Sequence, residues 1–216
     1  MSFLPQLIFL IILIAAGFFL IKRVKFLRRN ILLGKDEIRN DRREKRWKTM
    51  LLVAFGQQKM FKRFIPAFLH LFVYVGFLVI NLEVLEFVLD GILGTHRLFA
   101  PYLGEVYVVA MNFFEFLAVM VLVSCVIFLI RRNVVKVPRF TKPEMKGWPA
   151  MDGNLILCIE IVLMIAILKM NAAAQILASR GVGHYIVVGD LFFSGLLHPI
   201  LENMSTGLLI FVERSA

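Results

Sequence analysis

Five ionisable side chains stand in stretches otherwise apolar enough to cross a bilayer. They are His70, Glu83 and Glu86 in "FIPAFLHLFVYVGFLVINLEVLEF", Glu115 in "MNFFEFLAVM" and Glu160 in "LILCIEIVLM". A charged residue at the centre of a membrane helix costs about 2.5–3.5 kcal/mol on insertion scales if left facing lipid, so Glu115 and Glu160 are expected to point inward, whereas a carboxylate at headgroup level costs little. A histidine in that setting either hydrogen-bonds a neighbouring helix or ligates a metal. Carboxylates either join helices by hydrogen bonds or form a proton or quinone path.

Helix geometry sorts these residues into sites. At about 1.5 Å and 100° per residue, His70 lies roughly 10 Å past Arg63, in the inner half of the membrane, with Asn81 on nearly the same face higher up. Glu83 and Glu86 point the other way, roughly 20 to 24 Å from His70 along the axis and near the outer surface. There they either pair with His96 or Arg97 at headgroup level or belong to the proton or quinol path. Glu115 falls near the midplane of its helix, and Glu160 about 9 Å into its own, at a depth similar to that of His70. Both are expected to face other helices.

The elements that hold these residues follow from composition. Of 216 residues, 60% are hydrophobic, and they cluster in runs apolar on every face, which a soluble core would not show. The expected fold is all-α, a polytopic transmembrane helical bundle forming a single membrane domain, with spans at about 3–21, 64–88, 106–130 and 155–170. The last span has the option of continuing through "KMNAAAQILA". An ordered external cap with short amphipathic pieces is expected over about 171–205. The final "LLIFVERSA" starts an apolar run too short to cross, read either as a loose tail or as the start of a fifth helix missing from this chain. "TMLLVAFGQQKMF" is likewise too short to span and reads as an interfacial helix.

Charge placement orients the bundle and excludes one partner class. The net charge is +10, yet 15 Lys and Arg fall between 22 and 63 and six between 131 and 149, leaving four elsewhere. Those two loops are expected in the cytoplasm, so the N-terminus is outside. "KDEIRNDRREKRWK" mixes signs as a solvated segment on anionic headgroups does, and no nucleic-acid partner is expected. "MSFLPQ" lacks the positive charge of a cleavable signal, so the first span is retained. Trp47 and Trp148 sit where interfacial anchors belong.

Cys125 and Cys158 form no CxxC pattern, so no iron-sulfur or zinc site is expected within these residues. P-loop, GxGxxG, GxSxG and HExxH motifs are absent, which argues against soluble-type catalysis here. His184 and His198 fall in the cap and read as surface or capping residues.

Several blocks together resemble a known family. These are "RRNILLGKDE", "RWKTMLLVAFGQQKMF", "NLEVLEFVLDGILGTHR", and "RRNVVKVPRF" followed by "EMKGWP". They are similar to the membrane part of bacterial membrane-bound iron-sulfur oxidoreductases, in which a heterodisulfide reductase-like subunit is fused to a domain similar to the nitrate reductase gamma subunit. The resemblance implies a b-type cytochrome anchor in the bacterial inner membrane, with one haem b. It places His70 at the second-helix haem histidine. The second ligand, and a cytoplasmic domain or subunit carrying 4Fe-4S clusters, would then lie beyond residue 216. Implied partners are membrane lipids, a quinone and that iron-sulfur domain.

The function expected on these grounds is electron passage between a membrane quinone pool and cytoplasmic iron-sulfur centres. Two alternatives remain open from the sequence: a small transporter or channel using the buried carboxylates, and a structural anchor without a cofactor.

Overall fold

The structure, a computed structural model, describes residues 3–35, 41–58, 60–138, 140, 142–145, 147–183, 185–186 and 189–215. Among these residues there are helices and no strands. The helices are α1 (Phe3–Ile31), α2 (Arg43–Met50), α3 (Phe64–Leu93), α4 (Ala100–Leu103), α5 (Glu105–Asn133), α6 (Trp148–Ser179), α7 (Phe192–Gly195), α8 (His198–Leu201) and α9 (Thr206–Ser215). Four of them, α1, α3, α5 and α6, are long and apolar enough to cross a membrane.

Exposure follows the membrane pattern. Phe77, Leu82, Val109, Phe113, Ile159 and Val162 are exposed, whereas Glu83, Glu86, Arg97, Glu115, Ser124 and Asn171 are buried. An apolar exterior around a partly polar interior is stable only where the surroundings are lipid. The chain is a multi-pass membrane protein.

The chain divides into two compact units, Met1–Ala67 with Val88–Thr95, and Phe68–Phe87 with His96–Ala216. In the first unit α1 continues beyond its apolar run through Arg28 and Arg29. The ring of Phe9 crosses Gly91, where a Cβ would come within 2.6 Å of it. Gly94 ends α3 in the left-handed conformation with φ 70°, its N–H returned to the Asp90 carbonyl at 2.7 Å; glycine takes that conformation without steric cost. The helix α2 runs on into a π-helical turn over Leu51–Phe55, with Trp47 exposed.

The second unit is built on α5 and α6. The buried residues of α5 are Tyr107, Met111, Glu115, Leu117, Ala118, Val121, Ser124 and Cys125, a stripe at the three- and four-residue spacing of one helix face. Gly76 of α3 lets that helix close on it, because a Cβ at Gly76 would stand 2.5 Å from Val121 Cγ2. Ile80, Leu117, Ala118, Val121, Cys125 and Met164 form the apolar seam at that level.

Of the two options for the fourth span, the longer holds: α6 continues through Ser179, so the segment outside regular long helices begins after that residue. "LLIFVERSA" is no loose tail: most of it lies in α9, whose Leu209 is fully buried against Ala172, Ala173, Leu177 and Ala178. The small alanines of α6 leave room for that close approach. Arg180 holds the connection by donating to the Met204 carbonyl at 3.0 Å and the Glu202 carbonyl at 2.5 Å.

Candidate functional site

The second unit encloses a polar network between α3, α5, α6 and the chain before α4. It starts at Glu86, which is 3% exposed. One Glu86 oxygen accepts the Tyr107 hydroxyl at 2.6 Å, and the other accepts the backbone N–H of Phe99 at 2.9 Å. Arg97 donates from Nη1 to the Tyr107 oxygen at 3.4 Å and from Nη2 to Asn171 Oδ1 at 2.9 Å. Asn171 passes the chain on, donating from Nδ2 to Glu115 Oε1 at 3.2 Å.

Glu115, with no exposed surface, anchors the segment around α7. Its Oε2 accepts the backbone N–H groups of Phe193 and Ser194, each at 3.1 Å, and its Oε1 also accepts the Ser194 hydroxyl. Asn112, one turn earlier on α5, accepts the Phe192 N–H at 2.9 Å and donates to the Asp190 carbonyl at 3.1 Å. From α6, Gln175 donates to the Gly189 carbonyl at 2.9 Å. Three side chains thus hold residues 189–194 over the network.

Arg97 sits in the left-handed region at φ 54°. A residue with a Cβ there carries about 1–2 kcal/mol of backbone strain. The hydrogen bonds of its guanidinium to Tyr107 and Asn171 offset that cost.

Glu83 belongs to the same neighbourhood. It is 2% exposed and lies within electrostatic reach of Arg97, Glu115 and Glu86. Its Oε1 is enclosed with no hydrogen-bond partner among the described residues.

The structure therefore brings together Glu83, Glu86 and Glu115, which the sequence placed at two depths. Glu83 and Glu86 are buried members of this network, where the sequence also allowed two carboxylates at headgroup level. Arg97 is the guanidinium expected near them. His96 instead meets Tyr185 edge to face, ring centroids 4.9 Å apart. Glu160 stands apart from the network, half-buried and within electrostatic reach of Cys125.

His70 is half-buried near the start of α3, and its Nδ1 is enclosed with no hydrogen-bond partner among the described residues. It lies roughly 135° around the helix from the buried stripe of Gly76, Ile80, Glu83 and Glu86. Asn81, on the same side as His70, is exposed and folds back onto the Phe77 carbonyl. His198 Nε2 lies 2.9 Å from Gln175 Oε1, a capping contact, and His184 is outside the described residues.

Tyr107, Asn112, Asn171, Gln175 and Ser194 were not singled out from the sequence. The signal for some of them was present. Tyr107, Met111 and Glu115 recur every four residues, as do Asn171 and Gln175, which places polar groups on one face of apolar helices. Ser194 had no such signal, because its role depends on how the loop returns to α5. Compared with protein-family models, curated proteins and solved structures, the chain matches none.

Proposed function

We propose that this membrane protein is an electron-transfer anchor similar to a b-type cytochrome, passing electrons between a membrane quinone pool and cytoplasmic iron-sulfur centres. Its setting on this reading is the bacterial inner membrane with the N-terminus outside. The observation that carries the proposal is His70, an imidazole in an apolar span whose Nδ1 is enclosed without a partner. An imidazole among apolar side chains is suitable donor chemistry for haem iron. A haem b there would supply a one-electron carrier.

The chain's own residues would do the rest. His70 would hold the haem iron through its imidazole, from the flank of α3 turned away from the buried stripe. The apolar residues on either side would exclude water. The buried carboxylates would handle the protons that accompany quinone chemistry, with Glu83, Glu86 and Glu115 in one group and Glu160 in another.

The test is a reduced-minus-oxidised difference spectrum of the full protein in membranes and of its His70→Ala variant. Haem bands in the parent that vanish in the variant support the reading. A parent without haem bands overturns it. The second reading is a transporter without haem. It is favoured by the orphaned oxygen of Glu83 beside two other buried carboxylates, and it would leave proton-linked uptake intact in the same variant.

A further inference from the structure

Hydrogen-bond bookkeeping distinguishes the three buried carboxylates. Glu86 receives one O–H and one N–H. Glu115 receives two backbone N–H groups, the Asn171 amide and the Ser194 hydroxyl. Both carboxyls therefore have a donor on each oxygen. Glu83 has a side-chain hydrogen bond with Asn171, while its Oε1 has no hydrogen-bond partner among the described residues, and the charges of Arg97, Glu115 and Glu86 all act on it.

A negative charge buried on Glu83 would be partly unsolvated, a cost of several kcal/mol. A neutral carboxyl with one unmet oxygen costs only about 1–3 kcal/mol. A metal cation is no substitute. The oxygens of Glu86, Glu115 and Asn171 are already taken by N–H and O–H donors, and a hard cation wants six or more oxygen ligands. Glu83 is 2% exposed, which leaves little open access for a ligand of any size.

We propose that Glu83 is a proton-holding site, the one of the three buried carboxyls left with an oxygen that no donor satisfies. The proton sits on its carboxyl between Arg97, Asn171 and Glu115. It exchanges with the aqueous phase by opening of the segment that Glu115 clips down. The groups facing it are Arg97, Glu115 and Glu86, with Tyr107 one bond further on. This inference is independent of the haem: it concerns the protonation of one carboxyl, and a failure of the haem spectrum leaves it standing.

The test is infrared spectroscopy of the full protein in lipid, in water and in deuterated water. The parent should show a carbonyl stretch of protonated carboxyl that moves on slow deuterium exchange. Glu83→Gln should lose that component, while Glu86→Gln and Glu115→Gln, each of which removes a negative charge acting on Glu83, should at most diminish it. A contribution from Glu160 would be common to all four proteins and would cancel in the differences. Because glutamine matches a neutral glutamic acid in shape and charge, Glu83→Gln should also unfold within about 2 °C of the parent. A parent lacking the protonated band overturns the proposal. So does a band unchanged in Glu83→Gln. Should Glu83→Gln fail to fold, that failure itself counts against a neutral Glu83, and Glu83→Asp, expected to shift the band, supplies the second measurement.

Discussion

The hydroxyl of Tyr107 points at Glu86 from 2.6 Å, and both residues are buried. That bond joins the start of α5 to the last third of α3, and the same hydroxyl oxygen takes the hydrogen of Arg97. Tyr107→Phe keeps the ring but leaves a Glu86 oxygen without its donor. We expect a loss of about 1–3 kcal/mol, measured as reduced resistance to unfolding in mixed micelles. Unchanged stability would mean that Glu86 is satisfied by another donor.

Ser194→Ala removes the hydroxyl from Glu115 and leaves the two backbone N–H bonds. The expected effect is a loss of about 1 kcal/mol, with greater exposure of residues 189–201. A cysteine placed at Phe192 should then react faster with a water-soluble maleimide in the alanine background. Equal rates would show that the backbone bonds to Glu115, with Asn112 and Gln175, hold the segment without the hydroxyl.

Gly76→Ala should push a Cβ into Val121 at 2.5 Å, costing about 1–3 kcal/mol through displacement of α3 from α5. Val121→Ala added to it should recover much of that loss, giving an interaction energy of opposite sign to the single costs. Strict additivity in a double-mutant cycle would rule out the close approach.

Tyr185, outside the membrane-spanning helices, donates to Glu213 of α9 at 3.0 Å. Burial, with the Glu213 charge second, pushes its phenol up from 10.0 to about 12. The folded state therefore binds its proton more tightly than the unfolded state does. The contribution is complete below about pH 10 and is lost as pH rises toward about 12. Tyr185→Phe should flatten the stability profile over that alkaline window, and an identical slope in parent and variant would contradict the assignment.

Cysteines introduced at Lys45 and Lys142 should both react only from the cytoplasmic side, since each lies in a Lys- and Arg-rich loop. Labelling of either in intact cells by an impermeant reagent would reverse the orientation.

The number of spanning helices and the inward direction of Glu115 were legible in the sequence, because length, hydropathy and the cost of a charge in lipid are local properties. Glu83 and Glu86 were placed correctly on one side of α3 by helical angle. Arg97 was among the partners the sequence offered them, but its bonds to Tyr107 and Asn171 were not legible, since a positive-φ residue in a short loop leaves no periodic trace. The continuation of α6 through "KMNAAAQILA" was one option in the sequence, left open because Lys169 and Asn171 interrupt the hydropathy there. Asn171 is in fact at the centre of the bundle, and Lys169 is exposed. The α9 helix was undervalued because ten residues are too few to span, yet the alanines of α6 give so short a helix a surface to dock on.

The seam of Ile80, Leu117, Ala118, Val121, Cys125 and Met164 has an electrical meaning as well as a packing one. It lies between the carboxylate network and the opposite ends of α3 and α5, and it offers an ion almost nothing to replace hydration. A membrane voltage is worth about 2.3 kcal/mol per charge for each 100 mV, and a continuous polar file would dissipate it. In this chain Ile80, Leu117, Ala118 and Val121 occupy that level, and their side chains bring no polar atom to such a file.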